Sequence, residues 1–191
     1  MTRPIDCLLA AWKLFLRDPA ALSAFDGSAA GARQSFRAAL VALPIYWLLI
    51  HIGPDAIASR RGPLETLFVH AVFYALIWTV WPAVMLRLSR MVDRRERYCL
   101  YLAAYNWSMV VQAALWLAAA GVVLTFGLSG SAARIVTVAA IAVVVLYHLH
   151  ILRSALDLRT LPALALAGFK LVLYQILLGT HHAALLQGSG S

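Results

Sequence analysis

Lys170 is a lone charge inside the apolar run LPALALAGFKLVLYQILL, residues 161–178. If that run crosses a bilayer, a lysine facing lipid costs on the order of 3 kcal/mol, so its side chain must turn inward or snorkel. It lies about nine residues into the run, roughly 13 Å at 1.5 Å per residue. The same rise brings Asn106, Thr79 and Tyr46, each on a different apolar run, to a similar depth. These four residues make up an expected intramembrane polar layer in which Lys170 faces Asn106, with the ring of Trp107 or Trp78 as a further partner. No acid lies at that level, which favours a neutral amine, or a cation bonded to amide, hydroxyl and backbone oxygens, over an ion pair. Two chemistries fit such a layer: polar glue between helices, or a site for an anion or small ligand.

The other reactive side chains form no catalytic set. His148 and His150 sit two residues apart, about 200° round a helix, so one metal or haem cannot be held by both. His51, His70, His181 and His182 fall near one end of their apolar runs and are able to converge there. Interfacial histidines bonding water, headgroups or backbone account for them without a metal. Ser28, Ser35, Ser108 and Ser154 lack a GxSxG frame and a His–carboxylate pair. No glycine-rich loop leads into a Lys-Ser or Lys-Thr pair, which argues against nucleotide hydrolysis. The eight acids all map to loops or helix ends, against a proton pump built on an intramembrane carboxylate. Cys7 and Cys99 have no CxxC or Cys/His spacing and read as small apolar fillers. The chain is therefore expected to be non-enzymatic, with no cofactor and no metal.

Apolar helices must position these residues. Hydrophobic residues make up 63% of the 191-residue chain, charged residues only 13%, and the mean hydropathy is +0.81. So few polar residues cannot cover a soluble surface, and the apolar ones come in runs rather than interleaved with charge. A hydrocarbon core of about 30 Å takes roughly 20 helical residues to cross. Five runs qualify: 36–52, 66–86, 98–126, 135–152 and 161–178. They are continuous and do not alternate with polar residues, so the expected fold class is all-α, a transmembrane helical bundle, not a barrel. Trp47, Trp81, Trp116 and Tyr98 fall toward run ends, as interfacial residues do; Trp78 and Trp107 sit deeper and are expected between helices.

Orientation follows from the basic residues. Arg3, Lys13, Arg17, Arg33 and Arg37 precede the first run, Arg87, Arg90, Arg94, Arg95 and Arg97 join the second to the third, and Arg153 and Arg159 the fourth to the fifth. Those twelve share one side; Arg60, Arg61 and Arg134 make three on the other. The rule that positive charge stays inside predicts a cytoplasmic N-terminus and a periplasmic C-terminus. The net charge of +8 points to anionic headgroups rather than nucleic acid, with the Arg87–Arg97 loop as the main contact. Ahead of the first run, residues 4–18 are amphipathic. Ile5, Leu8, Leu9, Trp12, Phe15 and Leu16 follow the spacing of one helix face. This helix is expected to lie in the interface, with Ile5, Leu8, Trp12 and Phe15 toward the acyl boundary; the alternative is a soluble helix packed on the loops. It has no cleavage site of the signal-peptide kind. The expected organisation is thus an N-terminal segment, 1–35, a five-helix membrane domain, 36–186, and a tail or appended linker, 187–191.

The short amphipathic start, the FDGSAAGARQSF entry to the first run, the YNW at Tyr105–Trp107 and the five-span plan together resemble the bacterial branch of the Ypt/Rab-interacting protein (Yip) family. The resemblance covers most of the chain and implies a non-enzymatic adaptor in the inner (cytoplasmic) membrane. It implies no Rab partner, since no long cytoplasmic N-terminal domain is present, and it transfers no functional residues. The leading expectation is a scaffold, assembly factor or accessory subunit working with other membrane subunits. The alternative is a small-solute transporter or channel using the polar layer around Lys170.

Overall fold

The computed structural model describes residues 3–53 and 56–187, so the expected tail beyond Gln187 lies outside the described residues. The fold is all-α, with no strand among the described residues. A short helix α1 (Pro4–Phe15) leads through a 3-10 turn at Pro19–Ala24 to α2 (Ala29–Gln34) and α3 (Arg37–Ile52). Then come α4 (Pro63–Met91), α5 (Tyr98–Thr125), α6 (Gly130–Ala155) and α7 (Thr160–Leu186). Five stretches are long and apolar enough to cross a membrane: Ala29–Ile52, Pro63–Met91, Arg95–Thr125, Gly130–Ala155 and Thr160–Leu186. The chain is a multi-pass membrane protein.

The helices outrun the apolar segments that announce them. α4 continues past Leu86 to Met91, and α7 past Leu178 to Leu186. Hydropathy falls where Arg87, Arg90, His181 and His182 enter, but backbone hydrogen bonding does not stop there. What stops it is local. α1, α4 and α5 end in the same motif, with Arg17, Asp93 and Gly127 in the left-handed region (φ 64°, 52° and 59°). In each, the amide of that residue and of the next one fold back onto the last turn: Arg17 to Leu14 and Asp18 to Lys13, Asp93 to Arg90 and Arg94 to Ser89, Gly127 to Leu124 and Leu128 to Val123. Carbonyls left open at the helix end are thereby satisfied.

The FDGSAAGARQSF segment is a cap followed by a bend. Ser28 N–H donates to Asp26 Oδ1 at 2.9 Å, and Ser28 Oγ accepts from Gly31 N–H at 3.0 Å, starting α2. Hydrogen bonding from the Ser28 backbone and side chain holds the Asp26 carboxyl below the usual carboxylate range. A Cβ on Gly31 would sit 2.2 Å from the Asp26 carbonyl oxygen, so only glycine fits. At the bend, Ser35 donates to Ala32 O (2.7 Å) and accepts from Asn106 Nδ2 (2.8 Å), clamping the α2–α3 junction to α5.

α5 is the central helix. It packs against α1, α2, α3, α4 and α6, and its residues Tyr101–Ser108 are buried without a break. α7 closes the bundle through α4 and α6. Arg94 Nε donates to Asp157 O at 3.3 Å, placing the α4–α5 and α6–α7 connections at one end of the bundle. Arg87, Arg90 and Arg95 are exposed there, and Arg94 and Arg97 half-buried. At the far end, Arg60 N–H and Ser59 Oγ donate to Leu185 O (2.9 and 3.4 Å) and Arg61 Nε to Ala184 O, tying the α3–α4 connection to the last turn of α7.

α1 differs from its expected arrangement. Cys7, Ala10, Ala11 and Leu14 are buried against α5, and Tyr147 OH donates to Ala11 O at 2.6 Å. The helix is therefore docked on the bundle through residues at i, i+3, i+4 and i+7, of which Cys7, Ala10 and Ala11 are small enough to let the backbones approach closely. Ile5 and Trp12, with Leu9 and Leu16, do point away from the bundle. Phe15 and Leu8 do not: both are half-buried, and the Phe15 ring meets Tyr147 edge-on at 5.2 Å. The sequence pattern shows one apolar face where the structure has two, because alanine and cysteine carry too little hydrophobic weight to mark the second. Cys7 and Cys99 are free thiols.

Candidate functional site

Burial is unequal along the bundle. At the α1 end, Trp78, Trp81 and Met85 of α4, the buried stretch of α5, Tyr147, Ile151 and Leu152 of α6 and Ala163, Leu166 and Ala167 of α7 make a dense core. Beyond that layer α6 has no buried residue from Gly130 to Leu146, and α7 none from Gly168 to Thr180. The space they leave is a cavity of about 280 Å³ to which all five spans contribute. Ala42 and Tyr46 come from α3, Tyr74 and Trp78 from α4, Gln112 and Trp116 from α5, Thr137 and His148 from α6, and Lys170, Tyr174 and Gln175 from α7. A second cavity of about 100 Å³ shares the wall formed by Tyr46, Trp116 and Tyr174 and reaches to His70, His181 and Leu185 at the far end.

Lys170 sits on the floor of the larger cavity. Its Nζ lies 3.4 Å from His148 Nδ1 and 4.6 Å from the centre of the Tyr105 ring. His148 is buried, and its ring meets those of Trp81 and Tyr105 edge-on at 5.7 Å each. Beneath this group, Trp81 Nε1 donates to Tyr101 OH at 2.7 Å, and Tyr101 stacks on Tyr105. Trp81 is thus a core residue, not the interfacial one its position near a run end suggests, and Trp116 lines the cavity. Trp78 and Trp107 are buried between helices. Beside Lys170, Gln112 Nε2 donates to Ser108 Oγ at 3.2 Å.

The expected polar layer is not assembled as such. Lys170 turns inward, but its partners are His148 and Tyr105, not Asn106. Neighbouring residues on a helix point about 100° apart. Tyr105 therefore faces α7 while Asn106, next to it, faces Ser35 at the α2–α3 bend. Thr79 is exposed on α4, its hydroxyl donating to Ala75 O at 2.7 Å. Tyr46 does line the cavity, but its hydroxyl donates to His70 O at 3.1 Å, toward the far end. Neither Trp78 nor Trp107 gives Lys170 its ring face; Tyr105 does. His148 was legible: it lies seven residues before the end of α6, close to the depth of Lys170, ten residues into α7.

Of the four histidines able to converge at the far end, His70 and His181 meet directly, and the His182 ring lies 5.8 Å from that of His181. His181 Nε2 lies 3.1 Å from His70 Nδ1, and Phe73 stacks on His181 at 4.0 Å. His51 is exposed and its Nδ1 lies 2.8 Å from Trp47 O of its own helix. Among the described residues, no three His, Cys, Asp or Glu side chains are grouped to hold a metal ion.

The cavity is thus walled by rings and aliphatic groups, with one amine and one imidazole at its base and two amides on its sides. Comparison with known proteins gives no match to a family model, a curated protein or a solved structure.

Proposed function

We propose that this chain is a non-catalytic membrane protein that binds a small solute inside the bundle, as a transporter or channel does. The observation that carries this reading is the cavity of about 280 Å³ between all five spans, with Lys170 on its floor. Pockets that hold small molecules combine an apolar, ring-rich wall with a few convergent polar groups, and this one has that make-up. The packed layer of Trp81, Tyr101 and Tyr105 closes its base, and the smaller cavity extends it toward the far end, so a solute would enter from there. With the positive-inside rule, the basic α1 end is cytoplasmic and the far end is the outer face of an inner membrane. The test is solute uptake into proteoliposomes with a panel of small anions, cations and neutral molecules. Saturable uptake of at least one, abolished by the cavity-filling Ala113→Phe in a folded bundle, is expected; indifference of every solute to the protein would refute it.

A second reading, the scaffold or accessory subunit that the Yip resemblance implies, has one observation in its favour. Ile5, Leu9 and Trp12 of α1, with Leu16 just past its end, form an apolar face that is exposed among the described residues. Lipid suffices to cover that face, so the cavity weighs more. Recovery of a defined membrane subunit in mild detergent, lost on Trp12→Glu, would favour the scaffold.

A further inference from the structure

Resting on the solute-binding reading, we infer that the cavity takes a small organic monoanion: a carboxylate at Lys170 with a planar or short apolar body among the rings above it. The sign of the site is the first argument. Among the described residues that line the larger cavity and its smaller neighbour, Lys170 is the one Lys or Arg, and none is Asp or Glu. An ammonium has three N–H donors. At Lys170 one points to the His148 ring nitrogen, 3.4 Å away, and the Tyr105 face lies 4.6 Å off. Both partners are uncharged in their ordinary state, so neither neutralises the amine. Carrying charge on a buried amine without an anion is costly. A carboxylate entering the cavity supplies that anion through a charge-assisted bond, while a cationic solute meets repulsion at the same point.

Size and wall chemistry narrow the class. A cavity of 150 Å³ holds benzene, so about 280 Å³ accommodates roughly twice that bulk, a one- or two-ring acid or a short-chain acid. A membrane lipid is too large. A dianion or phosphate would bring more charge than one lysine offsets, into a wall with no arginine fork to bind it. Tyr46, Tyr74, Trp78, Trp116 and Tyr174 surround the space with ring faces and edges, which favour a flat apolar body. Gln112 and Gln175 supply side-wall amides for a single further polar group.

The experiment uses the full chain in nanodiscs of uncharged phosphatidylcholine, with empty nanodiscs as the partition control. Equilibrium dialysis compares radiolabelled 1-naphthoate with 1-naphthamide, its neutral counterpart, and 1-naphthylmethylammonium. Naphthoate is expected to bind saturably, at least tenfold tighter than the amide, with the ammonium below detection. Lys170→Met should lower naphthoate affinity to that of the amide and leave the amide unchanged, while Lys170→Arg retains preference for the acid. The unchanged amide binding also shows that the variant keeps its cavity. Equal binding of acid and amide, or naphthoate binding indifferent to Lys170→Met, overturns the monoanion while the solute-binding reading stands. Binding of the ammonium in preference to the acid does the same. No binding of any probe overturns the inference, and the uptake panel then decides the broader reading separately.

Discussion

Replacing Tyr147 by phenylalanine isolates the attachment of α1 to the bundle. The substitution keeps the ring that Phe15 packs against and removes one hydroxyl, which donates to Ala11 O at 2.6 Å in a buried setting. Ala11 O lies inside α1, so it keeps its helical donor, the amide four residues on. The carbonyl is not orphaned, and the loss stays near the net value of one hydrogen bond, about 1 kcal/mol. That corresponds to a roughly fivefold rise in the undocked population of α1. Hydrogen–deuterium exchange of the amides of Cys7–Leu14, in nanodiscs, reads that population directly. About fivefold faster exchange is expected in Tyr147→Phe, with the amides of α5 unaffected. Trp12→Glu supplies the contrast. Trp12 is 47% exposed and points away from α5, so its replacement should draw α1 out of the acyl boundary without speeding exchange. If Tyr147→Phe leaves exchange unchanged and Trp12→Glu accelerates it, α1 is held by lipid and not by the bundle, and the docking argument fails.

Tyr101→Phe removes the acceptor of the buried Trp81 indole N–H; an unsatisfied buried donor costs about 1–3 kcal/mol, read as a lower melting temperature in detergent, and an unchanged melt would show that another acceptor takes over. Gly31→Ala forces a Cβ to within 2.2 Å of Asp26 O, so the α2 cap must shift at a cost of about 1–3 kcal/mol; wild-type stability would mean the turn is looser than described. For topology, a reporter inserted in the loop from Arg90 to Arg97 should be active in the cytoplasm and one fused after Leu186 active in the periplasm, and activity of both on one side would refute the five-span orientation.

The five spans were legible because lipid selects on the whole run of residues, and a run of twenty apolar residues admits few other readings. Helix ends were less so: α4 and α7 end on turns set by Asp93 or by loop contacts to Leu185, which hydropathy does not encode. The candidate site was half legible. A lysine in an apolar run must find polar company, so Lys170 was identifiable from its type and position alone. Its company was only partly so: His148 has the matching depth, but depth gives only one of the two coordinates of a residue in a bundle. Asn106 has a suitable depth and the wrong azimuth. Tyr105, one residue earlier, has the right azimuth, and the azimuth depends on how α5 is rotated among the five elements it touches. The docked face of α1 was missed for a related reason: close packing is done by Cys7, Ala10 and Ala11, whose small size is the property that matters, and size leaves no hydrophobic signal.

The YNW triplet shows how one short stretch of α5 divides the molecule. Tyr105 lies under Lys170, Asn106 clamps Ser35 at the α2–α3 bend, and Trp107 is buried among the helices. Three neighbouring residues thus bind three directions at once, which is possible because α5 is enclosed on all sides at this level. One or two turns further along, that enclosure ends: Ala113 and Trp116 line the cavity. Lys170 stands at the boundary between the two regimes. Placed deeper in the dense half, its amine would need a carboxylate, and the spans carry theirs, Glu65 and Glu96, only at their ends. At the boundary, His148 and Tyr105 hold it from one side, and its remaining hydrogen-bonding capacity faces the cavity. On the solute-binding reading proposed above, a solute in the cavity would supply the partner that completes its coordination.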